Sequence, residues 1–145
     1  MRPPSELARL FRSQGLKITP QREAVFRALD GNHLHPTAEA VHSAVVREMP
    51  SVSLRTVYQV LNDLTAMGEI QALDLGTGSA RFDPNVDAHH HLVCAGCGKV
   101  RDVYGPVVAA PDAPGFTIAS AEVVFRGRCD GCQPPTTTKE SPCPT

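Results

Sequence analysis

The stretch "SVSLRTVYQVLNDLTAMG", residues 51–68, decides the fold because it predicts a helix with one apolar and one polar face. Ser53 is a suitable N-cap, and Gly68 is typical of the residue that ends a helix. The apolar side chains recur at helical spacing and are expected to face a core; they are Leu54, Val57, Leu61 and Leu64. The side chains left outside are polar and comprise Arg55, Thr56, Tyr58, Gln59 and Asn62.

Three more helices are predicted before this one, and a hairpin after it. Ser5, Thr19 and Thr37 each stand in the position of an N-cap before an amphipathic stretch. After the polar-faced helix, "EIQALDLGTGSARFDP", residues 69–84, predicts two short strands joined by the turn "GTGS". A core of three helices, a helix with a polar face and a hairpin are together the outline of a winged helix-turn-helix.

From about residue 86 the pattern changes to Val-rich alternation, which is typical of strands in a second, smaller domain. The predicted fold class is therefore α+β, with an N-terminal winged helix-turn-helix over residues 1–84 joined to a small C-terminal α/β domain over residues 85–133. The last residues, 134–145, are rich in Pro and Thr, and we expect them to form a disordered tail.

The composition of the chain limits its location and partners. The net charge near −1 argues against indiscriminate nucleic-acid binding but allows a localised basic face. No apolar run is long enough to span a membrane. Charged side chains appear before the apolar core of a signal peptide could form, so we expect a cytoplasmic protein. In that reducing compartment, paired cysteines indicate metal ligands or redox thiols in preference to structural disulfides.

Two C-x-x-C pairs, Cys94/Cys97 and Cys129/Cys132, each follow a predicted strand. Four thiolates complete a tetrahedral zinc site and leave no open position for chemistry. A thioredoxin-like redox motif would need one such pair at the start of a helix, whereas here two pairs follow strands. A small domain with little apolar mass also gains its stability from such a site. The cysteines therefore predict a structural Zn²⁺.

Three consecutive histidines, residues 89–91, precede the first cysteine pair. Because side chains alternate along a strand, His89 and His91 share one face and His90 points to the other. Two imidazoles on one face can chelate a metal ion, although a polar surface strand accounts for this motif equally well. Further nitrogen or oxygen ligands would come from elsewhere in the chain, with candidates His33, His35, Asp83, Asp87 and Asp102.

Six stretches in order resemble the ferric-uptake-regulator family of bacterial repressors, and within it the peroxide-sensing branch: "LKITPQREAVFRAL", "HPTAEAVH", "SLRTVYQVLNDLTAMGEI", "ARFDP", "HHHLVCAGCGKVRDV" and "VVFRGRCDGC". The resemblance implies a metal-dependent transcriptional repressor that binds double-stranded operator DNA as a homodimer and is not an enzyme or a membrane protein. It implies that the second domain is the metal-binding and dimerisation domain, with zinc on the two cysteine pairs.

The resemblance also implies a regulatory metal site at the hinge, with five ligands: His35, Asp83, His89, His91 and Asp102. Imidazoles and carboxylates without thiolates suit Fe²⁺ or Mn²⁺. An ion held by His35 and Asp102 would lock the orientation of the two halves. In the peroxide-sensing branch Fe²⁺ reacts with hydrogen peroxide and a ligand histidine is oxidised, here His35 or His89. Aspartate at 102 favours that branch, and the alternative is a sensor of iron or of another metal.

The polar-faced helix is the predicted reading element for DNA. Its outer side chains suit bases and phosphates in a major groove, and Ser53 at its N-terminus suits a phosphate. An ordinary solvated face has the same composition, but the order of "TPQR" before the "TVY" helix, as in the family, favours DNA. Lys17, Arg22 and, from the wing side, Arg81 are expected to contact the DNA backbone.

Two features depart from the family pattern. The segment "GPVVAAPDAPG", residues 105–115, is too short and too rich in proline for the helix that helps many relatives to dimerise. Some relatives also use the His90 position in a further metal site, but Ala121 replaces its distant histidine, so His90 is not expected to be a ligand. A metalloenzyme that activates oxygen at the open His/Asp site is a further alternative, but no general base or substrate pocket is evident in the sequence, and the polar-faced helix would have no role.

Overall fold

The computed structural model describes residues 1–106, 109–119 and 121–133, so the predicted disordered tail lies outside the described residues. The N-terminal half contains four helices, with bounds α1 Pro4–Ser13, α2 Pro20–Leu29, α3 Ala38–Val46 and α4 Leu54–Ala66. The second half is a three-stranded sheet followed by one 3-10 turn, Asp130–Cys132. Within the described residues, no helix has the length and apolar character needed to cross a membrane.

Side-chain caps set the starts of three of these helices. The hydroxyls of Thr19, Thr37 and Ser53 accept hydrogen bonds from backbone N–H groups three residues later, over 3.3, 3.2 and 3.1 Å. These caps confirm three of the four predictions. Ser5 is not a cap: α1 begins at Pro4, because proline in the first helical position supplies the helical φ without needing an N–H partner.

The four helices surround one apolar core. On α4 the side chains of Val57, Leu61 and Leu64 are fully buried, as predicted. Val60 is buried as well, whereas Leu54 is only half-buried. The helical period places residues three and four apart on the inner face, and Leu54, the first residue of α4, packs against the core from the end of the helix. The polar side chains of α4 consequently face away from this core.

The hairpin after α4 consists of β1, Gln71–Leu73, and β2, Arg81–Asp83. The strands are antiparallel, with Leu73 opposite Arg81. Phe82 points into the helical core and is 3% exposed. Since side chains alternate along a strand, its neighbours Arg81 and Asp83 point the other way. The helices and the hairpin form the predicted winged helix-turn-helix.

The second sheet contains β3, His90–Cys94, β4, Val100–Val103, and β5, Val124–Gly127, in the order β4-β3-β5. β3 is antiparallel to β4 and parallel to β5. The connection from β4 to β5 forms no helix in its described residues, 104–106, 109–119 and 121–123. Leu73 and Leu75 pack with Val93 and Val100, so the hairpin and the sheet share a small apolar core.

Candidate metal centres and DNA-facing helix

The parallel pairing of β3 with β5 brings the four cysteines together. Cys94 ends β3 opposite Gly127, the last residue of β5, and Cys129 follows two residues later. The four Sγ atoms all lie within 4.8 Å of one another, and those of Cys97 and Cys129 are 3.8 Å apart. Zn–S bonds of about 2.3 Å put the sulfurs of a tetrahedral site about 3.8 Å apart. The four sulfurs are therefore close enough to share one zinc ion.

Two glycines permit the turn that carries the first cysteine pair. Gly98 has φ +69°, a left-handed conformation that favours glycine. Gly96 lies against the second pair: a Cβ at this position would come within 2.8 Å of Cys132 Cβ and 3.0 Å of its Sγ. Gly131, in contrast, has no neighbour within 4 Å of such a Cβ.

The pKa values of the cysteine thiols depend on their contacts with one another and with backbone N–H groups. Hydrogen bonds from backbone N–H groups, led by that of Cys129 at 3.3 Å, lower the pKa of Cys94 to about 6. The neighbouring sulfurs of Cys129, Cys97 and Cys94 raise the pKa of Cys132 to about 12. Four sulfurs this close cannot all be thiolates unless a cation balances their charge. This is the electrostatic signature of a cation site.

A second cluster lies at the junction of the two halves. His35 comes from the loop between α2 and α3, and Asp83 ends β2. His91 lies on β3 directly opposite Asp102 on β4, and His89 precedes β3 on the same face as His91. One ligand atom from each of these five residues lies within 4.8 Å of the other four. The structure thus brings together all five residues of the predicted regulatory site.

The distances in this cluster match one shared ion. His35 Nε2 lies 2.8 Å from Asp102 Oδ1 and 3.5 Å from Asp83 Oδ2. His89 Nε2 lies 2.9 Å from Asp83 Oδ2 and 3.0 Å from His91 Nε2. Adjacent ligands of an octahedral ion with bonds of about 2.1 Å are about 3.0 Å apart. Five ligands would leave one octahedral position open.

Buried polar atoms without hydrogen bonds also indicate a cation. Both ring nitrogens of His35 and Oδ1 of Asp102 are buried and lack a hydrogen-bond partner among the described residues. His35 Nε2 and Asp102 Oδ1 lie close together but do not have the angles of a hydrogen bond, as expected for atoms that point at a common centre. Such orphaned atoms are costly, and an ion would satisfy them.

The charge state of the cluster follows from burial and from its carboxylates. Burial disfavours the charged form of His35, but Asp83 and Asp102 outweigh it and raise the His35 pKa. Burial likewise opposes ionisation of Asp83, yet the nearby His35 imidazole and the backbone N–H of Asn85 lower its pKa to about 2. For His91 burial dominates and lowers the pKa. The Asp83 carboxylate is thus ionised at neutral pH and can bind a cation.

The other histidines and acids considered from the sequence lie outside the cluster. His33 and Asp87 are exposed and are not among the five grouped residues. His90 faces away from His89 and His91, with its Nε2 3.1 Å from the carbonyl oxygen of Pro106. The alternation along β3 therefore separates His90 from its neighbours, as predicted.

Asn85 is a member of the site that the sequence did not reveal. Its backbone N–H donates to Asp83 Oδ1 over 2.8 Å, and its Nδ2 donates to Asp102 Oδ2 over 2.9 Å. The same Nδ2 lies 2.9 Å from the hydroxyl of Tyr104. Each carboxylate therefore has its outer oxygen held and its other oxygen free to face the cluster. The sequence feature that could have identified Asn85 is its position two residues after Asp83, which is typical of an Asx turn.

The outer face of α4 carries four exposed polar side chains, those of Arg55, Tyr58, Gln59 and Asn62. Thr56 is half-buried, because its side chain folds back to within 2.9 Å of the Ser53 hydroxyl. The Tyr58 hydroxyl donates to Glu39 over 2.8 Å, and this hydrogen bond raises the Tyr58 pKa. The face that was predicted from the helical period is therefore present, with Thr56 at its margin.

Two arginines predicted to reach DNA are turned inward instead. Arg22 has a 13% exposed side chain that binds Asp63 at 3.1 Å and the Lys17 carbonyl at 2.8 Å. Arg81 points towards the junction of the two halves. Both guanidiniums find acceptors within the fold, which a helical or strand pattern cannot show. Their contacts to DNA stay predictions. Lys17 itself remains exposed at the edge of a groove that is also lined by Thr56 and Gln59.

Comparison with known proteins gives one consistent result. The sequence model "Ferric uptake regulator family" matches residues 13–122. The peroxide-responsive repressor PerR of Staphylococcus aureus is 34% identical over 128 residues, which span 85% of this chain and 86% of the relative.

Two solved structures share the fold. The ferric uptake regulator of Pseudomonas aeruginosa, solved with manganese, has a TM-score of 0.62 and 29% identity over 90% of this chain and 99% of its own. The Helicobacter pylori regulator Fur, described as having three functional metal binding sites, has a TM-score of 0.72. At 21% identity over 92% of this chain and 93% of its own, this second likeness concerns the fold alone.

Proposed function

Because this chain belongs to the ferric uptake regulator family, we propose that it is a metal-dependent transcriptional repressor that responds to peroxide. The observation that carries the proposal is the five-residue cluster at the junction of the two halves. His35 comes from the helical half and Asp102 from the sheet, so one ion bound by both would favour a single arrangement of the halves. Members of the family are regulators of transcription, and this cluster is the sensor we assign to this chain.

The regulatory ion in this proposal is Fe²⁺ or Mn²⁺, and its ligands are His35, Asp83, His89, His91 and Asp102. When bound, Fe²⁺ would supply the electrons that reduce hydrogen peroxide. The protein supplies a nearly closed pocket: the side chains of His89, His91 and Asp83 are at most 3% exposed, and that of Asp102 is 14% exposed. We propose His35 or His89 as the residue oxidised. The name of the Staphylococcus aureus relative supports peroxide as the signal.

The second ion in this proposal is a structural Zn²⁺ bound by Cys94, Cys97, Cys129 and Cys132. Support comes from the sulfur spacing and from the opposed pKa shifts of Cys94 and Cys132. The ion would tie the ends of β3 and β5 together, and the apolar core of this half is too small to do so alone.

The proposed partner is double-stranded operator DNA, contacted through α4. Arg55, Gln59 and Asn62 are exposed on one face, Tyr58 and Thr56 flank them, and Ser53 lies at the N-terminus. Lys17 would contact a phosphate beside this helix. With a net charge near −1, binding must rest on this local face and should weaken steeply as salt rises.

A homodimer is the proposed assembly, and the outer face of the second sheet is its candidate surface. Leu92 and Phe125 are paired neighbours on β3 and β5, and they are 36% and 47% exposed. Apolar side chains grouped on one sheet face are typical of a surface that is covered in the assembly. Phe116, which directly follows the segment 105–115, is 83% exposed and would join this surface.

We assign residues 1–84 to the DNA-binding domain and residues 85–133 to the metal-binding and dimerisation domain. The first residue after this boundary, Asn85, contacts both carboxylates of the regulatory site. Limited proteolysis in the presence of a chelator should cut near residues 84–88, and Mn²⁺ should protect this segment. An equal rate of cleavage with and without Mn²⁺ would contradict a boundary that the ion orders.

The alternative function is a repressor that reports the availability of iron or another metal. The specific observation in its favour is the Pseudomonas aeruginosa regulator of similar fold, which was solved with manganese. The same cluster would serve either function, since a metal sensor and a peroxide sensor both need an ion that joins the two halves.

One experiment separates these functions. The zinc-loaded protein is charged with Fe²⁺ or Mn²⁺, its binding to operator-like DNA is followed by fluorescence anisotropy, and hydrogen peroxide is then added. A peroxide sensor should release DNA in the Fe²⁺ form only. Its intact mass should rise by one oxygen atom, as one peroxide molecule becomes water. DNA binding that requires the metal but does not change with peroxide would support the metal sensor instead. Absence of DNA binding with either ion would refute both functions.

A further inference from the structure

Arg81 occupies the space between the two metal clusters. Its Nη1 donates to the carbonyl oxygen of His35 over 3.3 Å, and its Nη2 donates to the carbonyl oxygen of Gly98 over 3.2 Å. His35 belongs to the histidine and aspartate cluster, and Gly98 belongs to the turn that carries Cys94 and Cys97. One guanidinium therefore connects the backbones of both sites.

The Gly98 carbonyl is positioned by the cysteine turn. The N–H of Gly98 donates to the Cys94 carbonyl over 2.8 Å, and the N–H of Cys94 donates to the Lys99 carbonyl over 2.8 Å. Gly98 has a left-handed φ of +69°, and its carbonyl accepts from Arg81 Nη2. A change in the backbone of the turn that carries Cys94 and Cys97 would therefore move the acceptor that Arg81 Nη2 uses.

His35 is held in an unusual backbone conformation at the other end of this link. Its φ is +49°, the one positive value outside glycine among the described residues, and its side chain is fully buried. For a residue with a Cβ this conformation is strained and needs support from its surroundings. β2 provides that support: Phe82 N–H donates to the Pro36 carbonyl over 2.9 Å, and Arg81 holds the carbonyl of His35 itself.

We propose that Arg81 is a positioning residue that couples the thiolate site to the regulatory site. It holds the backbone of His35, and thereby the imidazole, in a position that depends on the cysteine turn. This inference rests on the proposed function, because it assumes an ion at each cluster. It also explains why an arginine near the wing is turned inward, since two carbonyl acceptors at separate sites need the fork of a guanidinium.

The first test is Mn²⁺ affinity, measured by calorimetry on the zinc-loaded protein. Arg81→Met should raise the Kd for Mn²⁺ roughly tenfold, because His35 loses the support of its carbonyl. Arg81→Lys should give an intermediate value, since one ammonium cannot serve both carbonyls. Arg101→Met is the matched control, because Arg101 flanks Asp102 on β4 but is exposed on the other face. It should leave the Kd unchanged.

The second test reads the coupling from the thiolate side, where linkage requires a reciprocal effect. One equivalent of Co²⁺ placed in the four-cysteine site gives a thiolate-to-cobalt absorption band. Adding Mn²⁺ should shift this band in the wild type and in Arg101→Met but not in Arg81→Met. A protein that has merely lost stability would not lose this response while keeping the band.

The outcomes separate the inference from the proposed function. If the wild type binds no Mn²⁺ at the five-residue cluster, the proposed function and the coupling both fail. If the wild type binds Mn²⁺ and Arg81→Met has the same Kd and the same band shift, the coupling alone is refuted. A raised Kd together with a band that no longer responds supports the coupling.

Discussion

Asn85 donates a hydrogen bond from Nδ2 to Asp102 Oδ2 over 2.9 Å, across the junction between the hairpin and the sheet. Its backbone N–H holds the other carboxylate, that of Asp83, over 2.8 Å. The two acids come from different halves of the chain, and one amide residue orients both. The inner oxygens are thereby left free, which is the arrangement a shared cation needs.

Asn85→Ala should weaken binding of the regulatory ion without removing a proposed ligand. Loss of the side-chain hydrogen bond lets Asp102 rotate, so we expect the Kd for Mn²⁺ to rise by roughly tenfold or more. Calorimetry on the zinc-loaded protein measures this change. Asn62→Ala is the control for Mn²⁺ affinity, because that amide is exposed on α4 and is not part of the cluster. An unchanged Kd in Asn85→Ala would show that Asp102 is held by other means.

His91→Ala and His90→Ala form a matched pair on one strand. His91 is 2% exposed and lies within the cluster, whereas His90 binds a carbonyl on the other side. We expect His91→Ala to abolish Mn²⁺-dependent DNA binding and His90→Ala to leave it within about twofold of the wild type, since loss of a ligand far exceeds loss of one surface hydrogen bond. Fluorescence anisotropy with operator-like DNA is the measurement. Equal effects of both substitutions would contradict the assignment of faces.

Gly96→Ala should destabilise the zinc site through a steric clash. The new methyl group would lie within 3.0 Å of both the Cβ and the Sγ of Cys132, so one cysteine pair must move. Release of zinc to a chromogenic chelator should become at least several-fold faster. Gly131→Ala, in the other cysteine pair, has open space at its Cβ and should release zinc at the wild-type rate. The opposite order of rates would contradict this packing.

The stability of the metal-free protein should depend on Asp83 in acid. Its pKa is lowered from 3.8 to about 2, where burial is outweighed by His35 and by the N–H of Asn85. A lowered folded-state pKa contributes stability above the unfolded value, and this contribution disappears as the pH falls through the folded value. The destabilisation caused by Asp83→Asn should therefore shrink by about 1 kcal/mol between pH 5 and pH 3.

Urea unfolding of the wild type and of Asp83→Asn at both pH values measures this difference. Comparing the two proteins at each pH cancels the titration of groups that do not contact Asp83. Asp87→Asn is the control, because Asp87 is exposed outside the cluster. A destabilisation by Asp83→Asn that stays constant over this range would show that the Asp83 carboxylate is not preferentially ionised in the fold.

Much of the architecture could be predicted from local patterns. Thr19, Thr37 and Ser53 cap helices as expected, since a cap needs only a side chain within three residues of its partner. The period of α4 predicted its buried face, and alternation along β3 separated His90 from His89 and His91. The Ser5 cap was wrong because Pro4 is an equally local signal that starts the helix two residues earlier than a Ser5 cap would.

Local patterns could not predict which residues belong to the five-residue cluster. From the residues alone, His33 and Asp87 were as eligible as His35 and Asp83, and only the resemblance to a family distinguished them. The structure separates them because β2 binds the His35 loop through Phe82 and Pro36, whereas His33 and Asp87 remain at the surface. This contact between β2 and the His35 loop has no local signature in the sequence.

The sequence by itself therefore determined the helices, the hairpin, the paired cysteines and the two faces of the histidine strand, because each depends on the period of the backbone or on spacing along it. Only the tertiary structure decided which acids face the histidines, and it turned Arg22 and Arg81 from the expected DNA surface to acceptors inside the fold. It also showed that Asn85 orients two carboxylates. These outcomes depend on groups that are distant in the chain and meet only when the hairpin packs between the helices and the sheet.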